Sequence, residues 1–443
     1  MNVLIIGGGG REHALAWKIA QSPRLTKLYI MPGNPGCAAC GERVEDIDVN
    51  NLAAVRIWAK KHAIDFVIPG PEAVLAAGIV DEFYDLGIKV FGPARKAAAL
   101  ESSKCLAKDL MRRYGIPTAD YAVFEQAERA FAYLDSREEA ERALKTAAAT
   151  PLVVKADGLA AGKGALVCEN IDAARAAVRR CMVDKEFGDA GAKVVIEERL
   201  FGEELSVLAL TDGKTIAPLA SAQDHKAIFD GDRGPNTGGM GAYSPAPLLT
   251  EKLLDEVVAK ILVPTVHAMN NESRRFRGVL YAGLMITKAG PKVLEYNMRF
   301  GDPETQPILM RLDGDLLAIL LATTDGHLDQ MELKWRDEAA VGVVMAAPGY
   351  PGHYEKGQTI SGLDKFSTDD QNTQIFHAGT IKRGDKIVTS GGRVLCATAL
   401  GKDLPTAIAS AYAAVEKITF AGAQYRKDIG QKALKKLAGA EVC

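Results

Sequence analysis

The segment VLEYNMRFGDPE, residues 293–304, carries residue types suited to holding a cation beside a phosphate. Side chains alternate along an extended strand, so Glu295, Asn297 and Arg299 share one face. Mg²⁺ accepts carboxylate and amide oxygens together with phosphates and water, and arginine binds carboxylates or phosphates through a planar fork. This face therefore predicts a metal held by Glu295 and Asn297, although a solvated strand face shows the same residue types. The opposite face is predicted to be core and consists of Leu294, Tyr296, Met298 and Phe300.

The stretch KADGLAAGKGALV, residues 155–167, is rich in glycine and lysine but is not a Walker A motif. Its first two glycines are separated by three residues, and Gly164 stands where a Ser or Thr would reach magnesium. Strand-like runs on both sides predict a hairpin in which Lys155 and Lys163 supply point charges for phosphates. An exposed basic hairpin without a ligand is the alternative.

Acidic residues follow the strand-like run VVIEERLFGEELS, residues 194–206. Glu197 and Glu198 lie at the predicted strand end, and Glu204 lies beyond a glycine. Backbone groups at such a strand end can read the edge of adenine, and an acidic side chain can hold ribose hydroxyls. Plain surface acids are the alternative when this stretch is taken alone.

The N-terminal run IIGGGGREHA, residues 5–14, has the glycines of a dinucleotide-binding turn but not its spacing. In the two frames of G-x-G-x-x-G, the third position holds Glu12 or His13. The acid expected about 20 residues further on is also missing, because the next strand ends in proline and glycine. The pattern argues against an NAD site and favours a phosphate at a helix start, with a tight turn as the alternative.

Residues 225–245, HKAIFDGDRGPNTGGMGAYSP, combine five glycines with several charges in the middle of the chain. Because the hairpin at 155–164 already offers a phosphate site, we interpret this segment as a mobile cover over the substrates. A purely structural Ω-loop is the alternative.

Composition limits the classes of partner. The 443 residues include 54 basic and 56 acidic ones and are 48% hydrophobic, so no global field attracts nucleic acid or an anionic membrane. The start of the chain lacks signal-peptide character and no apolar run is long enough to span a bilayer, which predicts a cytoplasmic protein. Seven scattered cysteines do not form a disulfide framework.

The elements that position these residues change in type along the chain. Short apolar strands alternate with helices at first, which predicts a doubly wound parallel α/β domain over residues 1–102. An α+β body follows over 103–332, with a mobile lid subdomain at about 120–195. A small β-rich C-terminal domain is predicted over 333–443.

Several motifs together resemble one enzyme family. The lysine hairpin, the strand ending in EERL and the Glu-x-Asn strand are similar to those of the ATP-grasp superfamily. GGGGREHALAWK, PGNPG, GPE, VVKADGLAAGKG, SAQDHKAIFDGDRGPNTGGMGAYSP, EYNMRFGDPETQP, FHAGT, SGGRVL and YRKDIG occur in order between residue 7 and about 430. They resemble the glycinamide ribonucleotide synthetases, also called phosphoribosylamine–glycine ligases.

The resemblance implies a reaction in purine biosynthesis. ATP, glycine and 5-phosphoribosylamine become ADP, phosphate and glycinamide ribonucleotide, through a glycyl phosphate intermediate and with Mg²⁺ or Mn²⁺. The partners expected are these small molecules, without nucleic acid or membrane, and the protein is expected to be a monomer. An ATP-grasp enzyme that carboxylates aminoimidazole ribonucleotide is the closest alternative; a regulator without catalysis and a dehydrogenase are weaker ones.

The resemblance also assigns residues to ligands. Those expected at ATP are Lys104, Lys155, Gly158, Gly162, Lys163, Gly164, Glu197, Glu198, Leu200 and Glu204. Those expected around phosphoribosylamine are Gly8, Gly9, Gly10, Asn34 and Glu72. Asp224, Arg299 and Asp302 are expected to place that substrate and glycine for catalysis. The strand GVLYAGLMIT carries no second acidic metal ligand, so the implied metal site contains Glu295 and Asn297 alone.

Overall fold

The computed structural model describes residues 1–143, 150–160, 163–367 and 370–439. Its first part is a five-stranded, all-parallel sheet in the order β3-β2-β1-β4-β5. The strands are β1 (Asn2–Gly7), β2 (Lys27–Pro32), β3 (Glu42–Arg43), β4 (Phe66–Pro69) and β5 (Lys89–Val90). The helices are α1 (Gly10–Ile19), α2 (Leu52–Lys61), α3 (Glu72–Ala76), α4 (Ile79–Glu82) and α5 (Arg95–Ser102). The predicted parallel α/β sheet is confirmed.

Strand β1 is buried on both faces, as a parallel strand between two layers should be. Val3 and Ile5 join an apolar core that includes Ile308, Leu317 and Phe376 from later parts of the chain. The alternate side chains of β1 belong to a second core within the first hundred residues. The N-terminal sheet is therefore packed firmly against the rest of the molecule.

A second sheet has the order β6-β9-β7-β8 and lies in the predicted lid. Its strands are β6 (Tyr121–Phe124), β7 (Leu152–Ala156), β8 (Ala165–Cys168) and β9 (Val194–Glu198). The accompanying helices are α6 (Lys104–Arg113), α7 (Ala127–Ala143) and α8 (Ile171–Val178), the last continued by a π-helical turn at Arg179–Val183. Strands β7 and β8 pair antiparallel, as the hairpin prediction requires.

The third sheet is antiparallel, in the order β11-β10-β16-β17. The strands of this part of the chain are β10 (Glu203–Thr211), β11 (Ile216–Pro218), β12 (Gln223–Asp224), β13 (Ala227–Phe229), β14 (Arg233–Asn236), β15 (Gly241–Ser244), β16 (Gly278–Thr287) and β17 (Gly290–Asn297). The helices are α9 (Glu251–Val257), α10 (Val263–Asn271), α11 (Thr305–Arg311) and α12 (Leu316–Asp325), with a π-helical turn at Val258–Leu262 between α9 and α10.

The last part contains β18 (Ala339–Ala346), β19 (Thr373–His377), β20 (Thr380–Arg383), β21 (Lys386–Thr389), β22 (Arg393–Gly401), α13 (Leu404–Glu416) and α14 (Gln431–Leu437). Its main sheet has the order β12-β15-β18-β22-β19, so residues 223–244 contribute two strands to it. The segment interpreted as a mobile cover is thus folded into strands, with β13 and β14 forming a separate hairpin. Among the described residues, no helix combines the length and apolarity needed to cross a membrane.

A β-bulge corrects one detail of the predicted strand faces. Val293 pairs with Leu284 and Glu295 pairs with Gly283, which leaves Leu294 without an opposite residue. The bulge turns Leu294 towards the cleft described below, and Val293 is buried in its place. The other predicted core residues, Tyr296, Met298 and Phe300, are buried as expected.

Candidate active site

A cleft of about 800 Å³ opens where all three parts of the chain meet. Arg11 and Glu72 border it from helices α1 and α3 of the N-terminal part, and Lys155 borders it from the lid. Glu295 lies on the body sheet, and Arg393 comes from the C-terminal sheet. The cleft is therefore bordered by charges of both signs, contributed by distant stretches of sequence.

Most of the predicted site residues border this cleft. They are Glu72, Lys104, Lys155, Gly164, Glu197, Glu198, Leu200, Glu204, Asp224, Glu295, Asn297, Arg299 and Asp302. Predicted residues that do not border it are Gly8, Gly9, Gly10, Asn34, Gly158 and Lys163. Gly162 lies outside the described residues.

Two lysines flank the buried carboxylate of Glu197. Lys155 reaches it from β7 and Lys108 from α6, and each forms an ion pair with one carboxylate oxygen. Burial alone would raise the pKa of Glu197, but the two lysines together lower it by more, so the pKa lies below its usual value. Burial also lowers the pKa of Lys108 to about 8, against the opposing effect of Glu197. Lys155 donates in addition to the carbonyl of Leu294, 2.9 Å away, which the bulge in β17 exposes.

The start of α6 is joined to the lysine hairpin. The Asp157 carboxylate accepts from the backbone N–H of Cys105 at 2.7 Å and from the Ser103 hydroxyl at 3.1 Å. The ammonium of Lys104 donates to the carbonyl of Gly158 at 3.0 Å. The ammonium of Lys163 instead reaches out of the lid to the carbonyl of Pro351, 2.9 Å away. Lys104 and Lys155 thus lie in the cleft, whereas Lys163 connects the lid to the C-terminal part.

The acids at the end of β9 and the start of β10 point in different directions. The Glu198 carboxylate pairs with Lys292 at 3.1 Å. Glu204, at the start of β10, lies with one carboxylate oxygen 3.6 Å from the ammonium of Lys226. Leu200 borders the cleft between them.

Lys226 lies among three carboxylates. Its Nζ is 3.6 Å from Glu204, 3.9 Å from Glu295 and 4.0 Å from Asp224. Burial lowers the pKa of Lys226, but Asp224 and Glu204 raise it more, and the result is well above the usual value. Burial alone would raise the pKa of Glu295, but nearby cations, Lys226 and Lys155 first, lower it by more, so the pKa lies below its usual value. Glu295 is therefore ionised and faces several cations.

Arg299 connects the body sheet to the N-terminal part. Its guanidinium lies 3.3 Å from a Glu101 oxygen and 3.6 Å from a Glu72 oxygen, and it donates to Oδ1 of Asn297 at 3.1 Å. Burial lowers the pKa of Arg299, but Glu101 and Glu72 raise it more. Glu295, Asn297 and Arg299, the residues of the predicted polar face, all border the cleft.

Asp302 lies opposite the start of α1. One of its oxygens accepts from Gln306 at 2.9 Å, and the other is 3.2 Å from the guanidinium of Arg393. Arg393 also donates to the Asp302 carbonyl at 2.7 Å and to the Gly238 carbonyl at 2.8 Å. Burial alone would raise the pKa of Asp302, but its polar partners, Arg393 and Arg11 first, lower it by more, so the pKa lies below its usual value. A carboxylate therefore faces the positive end of the α1 dipole.

The glycine loop before α1 is closely packed. A Cβ on Gly8 would lie 2.7 Å from the carbonyl of Gly33, and one on Gly10 would lie 2.6 Å from the Gln306 amide nitrogen. Asn34 donates to the carbonyls of Gly8 at 2.9 Å and His377 at 2.8 Å. These residues hold the loop against the C-terminal sheet behind Asp302.

The donor set on β17 fits a hard cation that shares its ligands with phosphates. Glu295 supplies an ionised carboxylate and Asn297 an amide oxygen, both bordering the cleft. Within the described ranges, no group of three or more His, Cys, Asp or Glu side chains is placed to hold a metal. A metal at Glu295 and Asn297 would therefore depend on phosphate oxygens and water, as Mg²⁺ usually does.

Sequence reasoning missed several charged groups of the cleft. Lys108 follows Lys104 by four residues on α6, a spacing that places both on one helix face and could have revealed it. Arg11 is in the first turn of α1, directly after the glycines. Arg393 begins β22 after a glycine pair, and only the tertiary structure brings it to Asp302.

Comparison with known proteins shows the family of this chain. Models of phosphoribosylglycinamide synthetase match its N domain to residues 1–101, its ATP-grasp (A) domain to 102–305 and its C domain to 340–432. A phosphoribosylamine–glycine ligase from Rhizobium meliloti (strain 1021) is 52% identical over 434 residues, which cover 98% of this chain and 99% of the relative. The chain belongs to the phosphoribosylglycinamide synthetase family. The resemblance stated from the motifs is confirmed.

Solved structures agree with this phosphoribosylglycinamide synthetase fold. The phosphoribosylamine–glycine ligase of Thermotoga maritima has a TM-score of 0.79 and 34% identity, with 97% of this chain and 100% of that chain covered. The biotin carboxylase domain of Hydrogenobacter thermophilus 2-oxoglutarate carboxylase, crystallised with MgADP and bicarbonate, has a TM-score of 0.70 over 96% of this chain and 91% of that chain. At 15% identity, the second likeness concerns the fold alone. The predicted multidomain architecture with an ATP-grasp body is confirmed.

Proposed function

We propose that this member of the phosphoribosylglycinamide synthetase family joins glycine to 5-phosphoribosylamine while ATP becomes ADP and phosphate. The observation that carries the proposal is the joint placement of Lys104, Lys155, Glu295 and Arg299 on one cleft that the N-terminal sheet also borders. Lysines and a metal-binding strand face suit ATP, and the remaining charges suit two small polar substrates. The enzyme is an ATP-dependent ligase of purine biosynthesis.

We propose that ATP lies between the lid and the body sheet. Lys104 and Lys155 then neutralise phosphate charge, Leu200 and the backbone around it meet adenine, and Glu204 takes the ribose. Lys155 is held ready by Glu197 and the Leu294 carbonyl, so little reorganisation is needed when a phosphate arrives. Gly164 borders the cleft, where we propose that it allows the hairpin backbone to approach the nucleotide, whereas a Cβ on Gly158 would instead meet Ala190.

The first chemical step activates glycine. A carboxylate oxygen of glycine attacks the γ-phosphorus of ATP, the bond to the bridging oxygen breaks, and ADP leaves with its electron pair. Such a transfer depends on positioning and charge neutralisation more than on an acid and a base. We assign Arg299 and Asp302 to the placement of glycine and phosphoribosylamine, with Asp224 beside them.

The second step forms the amide bond. The amine of phosphoribosylamine attacks the carbonyl of glycyl phosphate, phosphate leaves, and the amine loses a proton. We place phosphoribosylamine near Glu72, which borders the cleft, and near the Gly8–Gly10 loop with Asn34, as the resemblance to the family implies. The hydrogen bond from Lys163 to the Pro351 carbonyl joins the lid to the C-terminal part, and we propose that this connection helps to exclude water from the acyl phosphate.

We propose Glu295 and Asn297 as the protein ligands of Mg²⁺ or Mn²⁺. When bound, the metal would neutralise part of the phosphate charge. The chain's own contribution is a preformed carboxylate and amide on one strand, with Arg299 orienting the amide oxygen of Asn297. We further propose that the protein acts as a cytoplasmic monomer.

Phosphate release from ATP tests the proposed function directly. The purified protein should release phosphate only when glycine and phosphoribosylamine are both present, because the acyl phosphate is consumed only by the amine. Lys155→Met should abolish this release, whereas Lys260→Met, which changes an exposed lysine of the Val258–Leu262 turn, should not. Equal turnover with bicarbonate in place of glycine would instead identify a carboxylating enzyme.

A further inference from the structure

The C-terminal segment 426–432 holds the β13–β14 hairpin through a buried arginine. Arg426 is 1% exposed and is the largest fully buried side chain of the described residues. Its guanidinium binds both oxygens of Asp428, each at 2.7 Å. It also donates to the Asp232 carboxylate at 2.8 Å and to the carbonyl of Ala227 at 3.1 Å. Arg426 thus contacts the hairpin at its turn and at its base.

Further polar contacts join the same two segments. The Asp428 carboxylate accepts from the backbone N–H of Gly231 at 2.9 Å, and Asp230 accepts from the N–H of Lys427 at 2.8 Å. Lys432 forms an ion pair with Asp232. The hairpin turn is consequently fixed by side chains and backbone together.

The hairpin has hydrophobic support on one strand only. All four residues of β14 are exposed and Phe229 of β13 is 51% exposed, whereas Ala227 and Ile228 of β13 are buried. An isolated two-stranded hairpin is at best marginally stable in water. A buried charged group also costs desolvation energy, so a fully buried arginine is a poor device for stability alone. These points favour a role for Arg426 in placing the hairpin.

The base of the hairpin fixes the position of Lys226. This residue directly precedes Ala227, whose carbonyl Arg426 binds, and its own carbonyl accepts from the N–H and the hydroxyl of Thr237, both at 2.8 Å. The backbone at Lys226 is therefore fixed from two sides. Its ammonium lies within 4.0 Å of Glu204, Glu295 and Asp224.

We propose that Arg426 is a positioning residue for nucleotide binding, which acts by holding the β13–β14 hairpin so that Lys226 stays among the cleft carboxylates. Without the Lys226 charge, Glu204 and Glu295 would repel the phosphates of ATP. The inference rests on the proposed function for the identity of the nucleotide. It assigns to the YRKDIG motif, far from the lysine hairpin in sequence, an effect on the ATP end of the cleft.

A double-mutant cycle separates positioning from stability. The dissociation constant of a non-hydrolysable ATP analogue is measured for Arg426→Met, Lys226→Met and the double variant. Each single variant should weaken binding at least about tenfold, and the double variant should bind no more weakly than Lys226→Met. Arg426→Lys should recover part of the loss. Asp428→Asn, a milder change to the same ion pair, replaces Arg426→Met in the cycle if that variant does not fold.

Arg311→Met is the matched control, because Arg311 is also a buried arginine but binds Ser244 and the carbonyls of Arg336 and Glu338 away from the cleft. It should lower the melting temperature and act independently of Lys226→Met. Additive effects of Arg426→Met and Lys226→Met, or unchanged binding in Lys226→Met, would overturn the proposal. The cycle measures nucleotide affinity and needs no turnover. If the wild-type protein were inactive with glycine, the proposed function would be refuted, but the cycle would still test the role of Arg426 in nucleotide binding.

Discussion

Individual charges of the cleft already have partners of opposite sign within the protein. Glu197 lies between Lys108 and Lys155, and Arg299 lies between Glu72 and Glu101. Fixed charges of this kind do not need to reorganise when a charged substrate enters, which favours charge-neutralising catalysis. The energy for ordering these side chains is therefore supplied by folding rather than by substrate binding.

Glu295→Gln tests the metal role at the scale of one atom. The variant keeps the size of the side chain and removes its charge, so turnover should fall at least about 100-fold, by analogy with the loss of one stabilising group in an active site. Binding of Mn²⁺ in the presence of a non-hydrolysable ATP analogue, followed by the electron paramagnetic resonance signal of free Mn²⁺, should weaken at least about tenfold.

Glu256→Gln serves as the control for this substitution. Glu256 is an acid of α9 whose partner is Lys260, one helical turn away. It should retain both turnover and Mn²⁺ binding. Wild-type Mn²⁺ affinity in Glu295→Gln would show that the metal is held elsewhere.

Residue-level prediction succeeded where periodicity was local and failed where contact was distant. Strand alternation was sufficient to group Glu295 with Arg299, because side-chain direction follows directly from an extended backbone. The same rule was wrong for Leu294, since an inserted bulge reverses the alternation and leaves no mark in the sequence. Arg393 was missed because its neighbour Asp302 is distant in the chain.

At the scale of elements, the glycine-rich segment 225–245 differs most from its interpretation. It was expected to be a mobile cover, yet β15 pairs with β18, about a hundred residues later, and the hairpin before it is fixed by Arg426. Local composition describes glycine content but not a partner strand that far away. The parallel N-terminal sheet and the lid hairpin were predictable, because each is specified by a short, regular pattern.

The contact between α1 and β19 predicts that stability depends on pH. Nδ1 of His13 accepts a hydrogen bond from the backbone N–H of His377 at 2.8 Å, so Nδ1 carries no proton. Burial lowers the pKa of His377 to about 4, and burial together with His377 lowers the pKa of His13 well below its usual value. Unfolded histidines bind protons below about pH 6.5, whereas the folded ones do not until lower pH. Stability should therefore fall as the pH decreases from 6.5 towards 4, by about 2 kcal/mol at pH 5 for His377 alone.

Melting temperatures at pH 7.5 and pH 5.0 measure this dependence. His13→Asn keeps a hydrogen-bond acceptor close to the position of Nδ1 and cannot titrate, so its melting temperature should change less between the two pH values. His267→Asn, at an exposed histidine of α10, should behave like the wild type. An equal pH response in His13→Asn and the wild type would rule out the α1–β19 contact as its source.

At the scale of the whole molecule, the active site is a product of assembly. The N-terminal part contributes Glu72 from α3, the lid contributes Lys155, and the C-terminal sheet contributes Arg393 to one cleft. The apolar cores cross the same boundaries, since β1 packs with residues of α11 and β19. Sequence patterns could indicate three parts, but the relative placement of those parts depends on long-range packing that no local pattern encodes.

This assembly predicts that a single chain is sufficient for activity. The charged groups that we assign to ATP, metal and both substrates all border one cleft of one 47.3 kDa chain. If no second chain completes the site, sedimentation at assay concentration should give the monomer mass, and specific activity should stay constant on dilution. Tyr84→Ser serves as the control, because it removes the most exposed large apolar side chain of the described residues. It should change neither the measured mass nor the specific activity. Specific activity that falls with dilution, together with a mass near twice 47.3 kDa before dilution, would instead show that a partner subunit supports the cleft.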